Sequence, residues 1–395
     1  MMETMIHVQK AKELIAESIK PPEPVSVRLT DAIGLVLAED VFSPYDIPAY
    51  PQSSMDGYAF AFEEGKLTYV LDGEMAAGSN HQFQLKPGFA VRIFTGAAVP
   101  SGADTVLMQE KSAVQDGHLQ LTDLLLKKGD NFRQAGSEIQ KGAKALPKGH
   151  SLNAASIGFL AGMGISSVMA YPKPRVAILV TGNELQLPGK PLEYGQVYDS
   201  NSLTLKACLS QLYINGVDIF SCGDDLFQLQ SILENALQRA DLILMTGGVS
   251  VGDYDFTMDA FESCGVKKVF HKVRQKPGKP LLFGTKEEKL VFGLPGNPAS
   301  VLTCFYEYVI PAIGRLMHSP IAIECKQVPL EHDHQKPEGL THFLKAWYNG
   351  QTISLQKGQE SYKLSSYAAS NCLAVFPEGE TTFQKDQLIE VHLLP

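Results

Sequence analysis

The chain has 395 residues, which predicts two to three domains at about 150 residues per domain. Its 34 basic and 43 acidic residues give a net charge of −9, and 44% of its residues are hydrophobic, as in an ordinary globular protein. A protein that coats nucleic acid or an anionic membrane needs a basic face, so the composition disfavours both partners. A small anionic substrate is compatible with it, because a few lysines can set the field inside one cleft.

The cysteines and the apolar segments indicate the compartment. None of the six cysteines forms a Cys-x-x-Cys pair, which argues against a zinc ribbon or a disulfide scaffold. Charged residues interrupt the N-terminus where a signal peptide would need an apolar core, and the uncharged stretch 152–171 is too polar for a membrane helix. We therefore expect a cytoplasmic protein with free thiols and no membrane contact.

The first part of the chain predicts one helix and then β-rich sequence. Apolar residues recur at helical spacing over 8–19, and a proline cluster ends this helix. Three prolines within 43–51 mark a linker or a functional loop. Short strands separated by turn residues predict a small β-rich domain over 58–146. Its predicted strands are 67–71, 90–94, 105–109 and 118–121. A short helix, a glycine turn and a strand follow within 152–171.

After the stiff segment 171–174, strands and helices alternate, which predicts a mostly parallel sheet with helices on both faces. The predicted strands are 175–180, 217–220, 242–245 and 289–292. The predicted helices are 203–212, 229–237, 257–261 and 300–313. Beyond residue 320 the chain returns to short strands, the last of which covers 388–394, and no internal repeat is visible.

Glycine-rich turns follow three strands of the α/β region, at 181–184, 246–253 and 293–297. Ligands of open α/β sheets bind beyond the carboxyl ends of the strands, where small residues let backbone N–H groups approach an anion. Each turn alone is explained by the tight geometry that glycine permits. Three turns on one edge, two of them with carboxylates, favour a ligand site.

Acidic and basic residues lie together at this edge. The acidic residues are Glu184, Asp199, Asp224, Asp225, Asp253 and Asp255, and the basic ones are Lys276 and Lys279. Carboxylates beside lysines suit Mg²⁺ with a phosphate, although a solvated loop with weak charge pairs fits the spacing equally well. No P-loop or complete dinucleotide fingerprint is present, so a kinase or an NAD enzyme is unsupported. In the β-rich region, residue types alone make Asp56-Gly57 an ordinary hairpin turn.

Six motifs in order carry a more specific resemblance. They are Ser54-Met55-Asp56-Gly57-Tyr58-Ala59, Pro100-Ser101-Gly102-Ala103-Asp104-Thr105-Val106, Arg175-Val176-Ala177-Ile178-Leu179-Val180-Thr181-Gly182-Asn183-Glu184-Leu185, Thr246-Gly247-Gly248-Val249-Ser250-Val251-Gly252-Asp253, Lys276-Pro277-Gly278-Lys279-Pro280 and Gly293-Leu294-Pro295-Gly296-Asn297-Pro298. Together they resemble the MoeA/gephyrin family of molybdenum insertases and cover nearly the whole chain.

The resemblance implies an α/β and β multidomain fold with a central three-layer α/β molybdopterin-binding domain, an inserted β-rich domain and a C-terminal β-barrel domain. The implied boundaries are a split elongated domain I at 1–45 and 141–171, domain II at 46–140, domain III at 172–320 and domain IV at 321–395. It also implies a homodimer whose active cleft lies between domain III of one subunit and domain II of the other.

The implied reaction converts adenylyl-molybdopterin and molybdate to molybdenum cofactor and AMP with Mg²⁺ as cofactor. The implied partners are these substrates, a second copy of the chain and, transiently, the molybdopterin adenylyltransferase, with no nucleic acid and no membrane. Cleaving a phosphoanhydride requires charge neutralisation more than a strong base, which suits Mg²⁺ plus lysine.

Site residues follow from the matching motifs. The implied catalytic residues are Asp56, Glu184, Asp225, Asp253, Lys276 and Lys279, and those that hold the metal are Glu184, Asp225 and Asp253. Two consecutive aspartates follow Gly223, so Asp224 stays an alternative to Asp225. The implied substrate-binding residues are Thr95, Arg133, Thr181, Gly247, Gly248, Ser250, Pro295, Asn297 and Ser366. Among these, Thr95 and Arg133 are expected to hold molybdate.

The sequence departs from the family pattern at three positions. Leu340 and Lys345 replace arginines of the fourth domain, and a lysine cannot copy bidentate arginine binding. Asn183 replaces an aspartate that many members carry. One alternative is the related adenylyltransferase, which resembles the third domain alone and leaves the Asp56 motif unexplained. The other is a non-enzymatic scaffold, for which we would expect an added linker or partner domain.

Overall fold

The structure is a computed structural model that describes residues 5–248 and 256–395. Ser250 and Asp253 of the predicted site therefore lie outside the described residues. The chain divides into two compact units, of which the first contains Met1–Ser26, Ile33–Val36 and Met169–Pro395 and the second contains Val27–Ala32 and Leu37–Val168. Across the described ranges, no helix has both the length and the apolar character needed to cross a membrane.

The elements are numbered here in chain order. The α-helices are α1 Val8–Ser18, α2 Ala154–Gly162, α3 Asn201–Gln211, α4 Leu226–Arg239, α5 Thr257–Ser263, α6 Pro298–Cys304, α7 Ile310–Leu316 and α8 Ser365–Ala368. The strands of the first half are β1 Val25–Arg28, β2 Val36–Leu37, β3 Val41–Phe42, β4 Gln52–Ser53, β5 Gly57–Phe60, β6 Thr68–Met75, β7 Phe89–Ile93, β8 Thr105–Met108, β9 Ser112–Gln115, β10 His118–Leu121, β11 Phe132–Arg133, β12 Lys144–Leu146, β13 Ser167–Tyr171, β14 Val176–Thr181, β15 Leu185–Gln186 and β16 Val197–Tyr198. Those of the second half are β17 Val217–Cys222, β18 Leu242–Thr246, β19 Lys267–His271, β20 Gln275–Lys276, β21 Leu282–Lys286, β22 Lys289–Leu294, β23 Cys325–Pro329, β24 His334–Gln335, β25 Thr341–Tyr348, β26 Ile353–Leu355, β27 Cys372–Phe376, β28 Thr382–Phe383 and β29 Leu388–Leu393.

The second unit is built on a six-stranded sheet in the order β8-β5-β7-β6-β10-β9. Strand β5 pairs antiparallel with β7 and β8, whereas β6 pairs parallel with β7. Phe60, Tyr69, Ile93 and Leu107 are buried in its core, where each large apolar side chain contributes roughly 1.5–3 kcal/mol relative to exposure. The predicted β-rich region is thus confirmed.

The first unit contains a six-stranded α/β sheet in the order β17-β14-β18-β22-β21-β19. Its strands β17, β14, β18 and β22 are parallel neighbours, and every residue of β14 is buried. Leu229, Leu233 and Leu237 recur at helical spacing on α4 and are buried in the same apolar core as strand residues of this sheet. The predicted mostly parallel sheet is confirmed. The antiparallel strand β21 and the edge strand β19 were not predicted, because charged and turn residues interrupt their apolar residues.

The predicted helix 300–313 contains a widened turn. It runs from α6 through a π-helical segment, Phe305–Val309, into α7, and Ile310 N–H donates to Phe305 O. Pro311 has no N–H and its ring clashes with the preceding turn of an α-helix, which accounts for the widening. The widened turn lies in the helix interior and carries the buried Glu307.

The C-terminal part of the first unit is a second sheet in the order β20-β25-β27-β29-β23, with β26 paired to β25. Phe376, Phe383 and Val391 belong to its core, and the predicted β character of this region is confirmed. Strand β20 comes from the segment before the lysine turn and pairs parallel with β25, with Gln275 opposite Thr341. The C-terminal sheet therefore includes the strand that leads into that turn, while the division into four domains stays a prediction.

Candidate functional site

The predicted glycine-rich turns meet at one edge of the α/β sheet. They follow β14, β18 and β22, which are parallel neighbours and so end on the same side. Gly247, with φ of +91°, must be glycine, because a Cβ there would clash with the carbonyl oxygen of Thr181. Asn201 donates from Nδ2 to Thr246 Oγ1 (3.0 Å) and to Gly296 O (2.9 Å). Asn201 therefore joins the end of β18 to the turn after β22.

Two buried oxygens at this edge have no hydrogen-bond partner within the part of the chain that the structure describes. They are Thr181 Oγ1 and Asn201 Oδ1. A buried polar atom without a partner is costly, so both atoms are suited to contact a ligand. Thr181 was predicted from its motif, whereas Asn201 was missed. The sequence signal that could have found Asn201 was the neighbouring Asp199, because an aspartate is typical of a helix start. In the structure the Asp199 carboxylate accepts the Ser202 N–H (3.0 Å) at the start of α3, which carries Asn201.

A cleft of about 840 Å³ opens at the same edge. Five of the implied site residues line it, namely Glu184, Lys276, Lys279, Pro295 and Asn297, together with Asp199 from the predicted acidic group. The residues on its wall that the sequence did not reveal include Tyr198, Asn201, Ser361 and Tyr362. Ser361 and Tyr362 come from the loop between β26 and α8, which the sequence analysis did not single out. The structure thus brings the lysine turn and two strand-end turns to one cleft.

The lysine turn is held from its buried side. Gln275 is fully buried, its Nε2 donates to Gly278 O (3.1 Å), and its Oε1 accepts from the Tyr308 hydroxyl. Gly278 has φ of +85°, and a Cβ there would lie 2.5 Å from Cys304 Sγ. Lys276 and Lys279 are exposed, and neither has a carboxylate partner in the described ranges. Both ammonium groups are therefore available to an anionic ligand.

The predicted metal-binding carboxylates differ in their surroundings. The Glu184 carboxylate lies over the backbone of Gly182 and on the wall of the cleft. The Asp225 carboxylate accepts the Gln228 N–H (2.8 Å) as the N-cap of α4, and Asp225 does not line the cleft. Asp224 Oδ2 accepts the Asn183 N–H (3.4 Å) beside Glu184. The metal-ligand set stays a prediction, since Asp253 lies outside the described residues.

Of the three predicted residues of the second unit, two are joined by hydrogen bonds. Asp56 Oδ1 accepts both the Thr95 N–H and the Thr95 hydroxyl, each at 2.7 Å. These hydrogen bonds lower the pKa of Asp56 and keep it ionised at neutral pH. Arg133 is exposed on β11, opposite Gln52 of β4, and has no ion-pair partner among the residues described. The structure therefore brings Asp56 and Thr95 into contact and leaves the Arg133 charge free.

Lys345 and Ser366 hold the segment 358–363, which carries Ser361 and Tyr362. The buried Lys345 Nζ donates to the carbonyl oxygens of Gly358 (2.8 Å), Glu360 (3.2 Å) and Lys363 (3.2 Å). Ser366 Oγ donates to two of these, those of Gly358 (2.6 Å) and Lys363 (3.1 Å). Burial lowers the pKa of Lys345. Lys345 thus fixes a loop of the cleft wall, and Ser366 holds the same loop.

Leu340, the other position where the resemblance implied an arginine, is on the wall itself. Leu340 lines the cleft and precedes β25. Elsewhere on the cleft wall, Asn297 donates from Nδ2 to Ser361 Oγ (2.9 Å), and the Ala299 N–H donates to Ser361 O (2.9 Å). The turn after β22 and the loop that carries Ser361 are therefore joined on the cleft wall.

We expect a pH-dependent loss of stability at His342, which lies opposite Lys276. Burial, with Lys336 and Lys276 nearby, lowers the pKa of His342 to about 4. An unfolded histidine titrates near pH 6.5. The free energy of unfolding should therefore fall as the pH drops from about 6.5 to 4, by up to about 1.4 kcal/mol per pH unit. Urea unfolding across this range should show a shallower dependence for His342→Gln, and equal slopes would contradict the assignment.

The chain matches three family models in order: the MoeA N-terminal region (domain I and II) over residues 6–164, the probable molybdopterin binding domain over 177–315 and the MoeA C-terminal region (domain IV) over 327–394. The α/β part is thus a domain of the molybdopterin-binding type.

Whole-length relatives extend this result. The chain is 34% identical to a molybdopterin molybdenumtransferase of Haemophilus influenzae, covering 99% of the chain and 100% of the relative. It is 36% identical to a protein of the same name from Nostoc sp., covering 93% and 88%. A crystal structure of a molybdopterin biosynthesis MoeA protein from Pyrococcus horikosii aligns with a TM-score of 0.78 at 28% identity, over 99% of both chains. The chain therefore belongs to the MoeA family and is a transferase with a role in molybdenum cofactor biosynthesis.

Proposed function

We propose that this protein is a molybdenum insertase, which converts adenylyl-molybdopterin and molybdate to molybdenum cofactor and AMP with Mg²⁺ as cofactor. The observation that carries this proposal is the cleft in which the unpaired Lys276 and Lys279 lie with Glu184 at the strand ends. Adenylyl-molybdopterin contains a phosphoanhydride, and its cleavage develops negative charge on the phosphate oxygens. Two ammonium groups held on a rigid turn are suited to neutralise that charge.

The cleft wall also offers groups for the rest of such a substrate. Tyr362 and Tyr198 are 63% and 44% exposed there, and an exposed aromatic ring can stack on a pterin or an adenine. Asn201 Oδ1 and Thr181 Oγ1 can accept hydrogen bonds from ring or amino N–H groups. In the second unit, Thr95 and Arg133 would hold molybdate, with Asp56 fixing the Thr95 hydroxyl. These roles follow from the donor and acceptor types present.

The Glu184 carboxylate on the cleft wall suits a hard cation such as Mg²⁺. Neither carboxylate oxygen of Glu184 accepts a hydrogen bond from a described residue, and carboxylate oxygens are ligands that Mg²⁺ prefers. Glu184 and Asp225, with Asp253, would hold the ion, which when bound would neutralise phosphate charge. A homodimer, a transient contact with the adenylyltransferase and a cytoplasmic location belong to the same proposal, on the basis of the family resemblance.

The test is an assay of AMP release. Purified protein is incubated with adenylyl-molybdopterin and Mg²⁺, with and without molybdate, and AMP is quantified by chromatography. We expect AMP to be released when molybdate is present and little when it is omitted. A parallel incubation with molybdopterin and ATP should give no adenylyl transfer. Transfer in that second mixture without AMP release in the first would overturn the proposal in favour of an adenylyltransferase.

A further inference from the structure

We propose that Cys325, Glu390 and His392 form a binding site for a zinc-type divalent cation on the C-terminal sheet, distinct from the cleft. Cys325 on β23 lies directly opposite His392 on β29. Glu390 precedes His392 by two residues, so the two share one face of β29. One ligand atom from each residue lies within 4.8 Å of the others, although they come from two strands. Sulfur, imidazole nitrogen and carboxylate oxygen are the three ligand types that zinc takes in proteins.

The buried side of this group orients the histidine. His392 Nδ1 lies 2.6 Å from Glu307 Oε1, and Glu307 Oε2 accepts from Lys12 Nζ (2.7 Å). The Nδ1 position is therefore engaged by a buried carboxylate, while Nε2 points to Glu390 Oε1 (2.8 Å). A carboxylate on one ring nitrogen of a metal-binding histidine fixes the tautomer and presents the other nitrogen to the metal. The π-helical segment supplies this carboxylate, and such segments are frequent at functional sites.

The outer side of the group is open to solvent. Cys325 is exposed, and the Glu390 side chain is 49% exposed, whereas that of His392 is 5% exposed. A cation can therefore enter from solvent and bind three protein ligands, with water in a fourth position. Thiolate and imidazole ligands favour zinc-type ions over Mg²⁺. This site would therefore differ from the proposed Mg²⁺ site in the ion that it selects as well as in its place.

Cobalt provides the test, because a Co²⁺–thiolate bond gives a charge-transfer absorption that oxygen-only sites lack. The full chain is freed of metal with a chelator and titrated with Co²⁺, and Zn²⁺ is then added to displace it. We expect one Co²⁺ per chain with a single thiolate ligand. Cys325→Ser should abolish the thiolate band and weaken Zn²⁺ binding at least about tenfold. Glu390→Gln should keep the band and also weaken Zn²⁺ binding.

Cys222→Ser is the matched control, since Cys222 is half-buried in the α/β sheet and should leave the thiolate band unchanged. Circular dichroism of each variant confirms that it is folded before titration. Absence of the band in the unmodified chain would overturn the proposal. A band that survives in Cys325→Ser, or that is lost in Cys222→Ser, would overturn it as well.

Discussion

Replacing Lys279 by alanine is expected to lower kcat/KM for molybdate-dependent AMP release by about 100- to 1,000-fold, the loss typical of removing one preorganised donor to a developing oxyanion. Lys276→Ala should have an effect of the same order, because both lysines line the cleft and belong to one turn. The double variant should lose less than the product of the two factors, since residues that act on one charge are not additive. Steady-state AMP formation measures all three.

Lys385→Ala is the matched control for this pair. Lys385 is also exposed, but it lies in the loop before β29 and does not line the cleft. Its replacement should leave kcat/KM unchanged. If both lysine-turn variants fold normally and retain activity within about threefold, a difference below 1 kcal/mol in transition-state stabilisation, the turn does not neutralise the reacting phosphate.

Replacing Glu307 by alanine is expected to lower the free energy of unfolding by about 3–5 kcal/mol, the usual cost of removing one partner from a buried ion pair. Glu307 is 1% exposed and lies between Lys12 and His392. Its loss would leave the part-exposed Lys12 ammonium and the buried His392 Nδ1 without their common carboxylate partner, and a cavity beside the π-helical segment. Urea unfolding at pH 7, followed by circular dichroism, measures the change.

Glu324→Ala provides the comparison, because Glu324 pairs with Lys326 on the surface and exposed pairs contribute little. Its unfolding curve should coincide with that of the unmodified chain. Glu307→Gln, which keeps the shape and loses the charge, should fall between the two. Equal unfolding midpoints for Glu307→Ala and Glu324→Ala would show that the buried network does not stabilise the fold.

Much of the fold is predictable where the local pattern of apolar residues is enough to identify an element. Strand β14 has six consecutive buried residues, and this uninterrupted apolar run identifies a strand covered on both faces. Helix α1 is found within one residue because its apolar spacing and the following prolines are both local. The widened turn in the helix around Glu307 was not predicted, although Pro311 was its visible cause. A helical pattern alone does not show where a proline shifts the backbone hydrogen bonds from a spacing of four residues to one of five.

The site residues likewise fall into those that a local motif identifies and those that only the folded chain brings together. Glu184, the lysine turn and Asn297 lie in motifs that carry both glycine and charge, so sequence identifies them. Ser361 Oγ accepts a hydrogen bond from Asn297, which is 64 residues earlier in the chain. No local sequence pattern encodes such a long-range contact. Lys345 was singled out from the sequence as a departure from the family pattern. Where its ammonium group points depends on three carbonyl oxygens, which come together only when the loop 358–363 is folded.

The pairing of β20 with β25 has a consequence for exchanging parts between relatives. The ladder places Gln275 opposite Thr341 and Lys276 opposite His342, so the backbone that leads into the lysine turn is a strand of the C-terminal sheet. A chimera cut at the end of α7 would therefore join this turn to a foreign strand. The turnover of such a chimera would then depend on the new pairing between β20 and the foreign strand as much as on the transplanted sheet. Exchanging β20 and β25 together keeps the two effects apart.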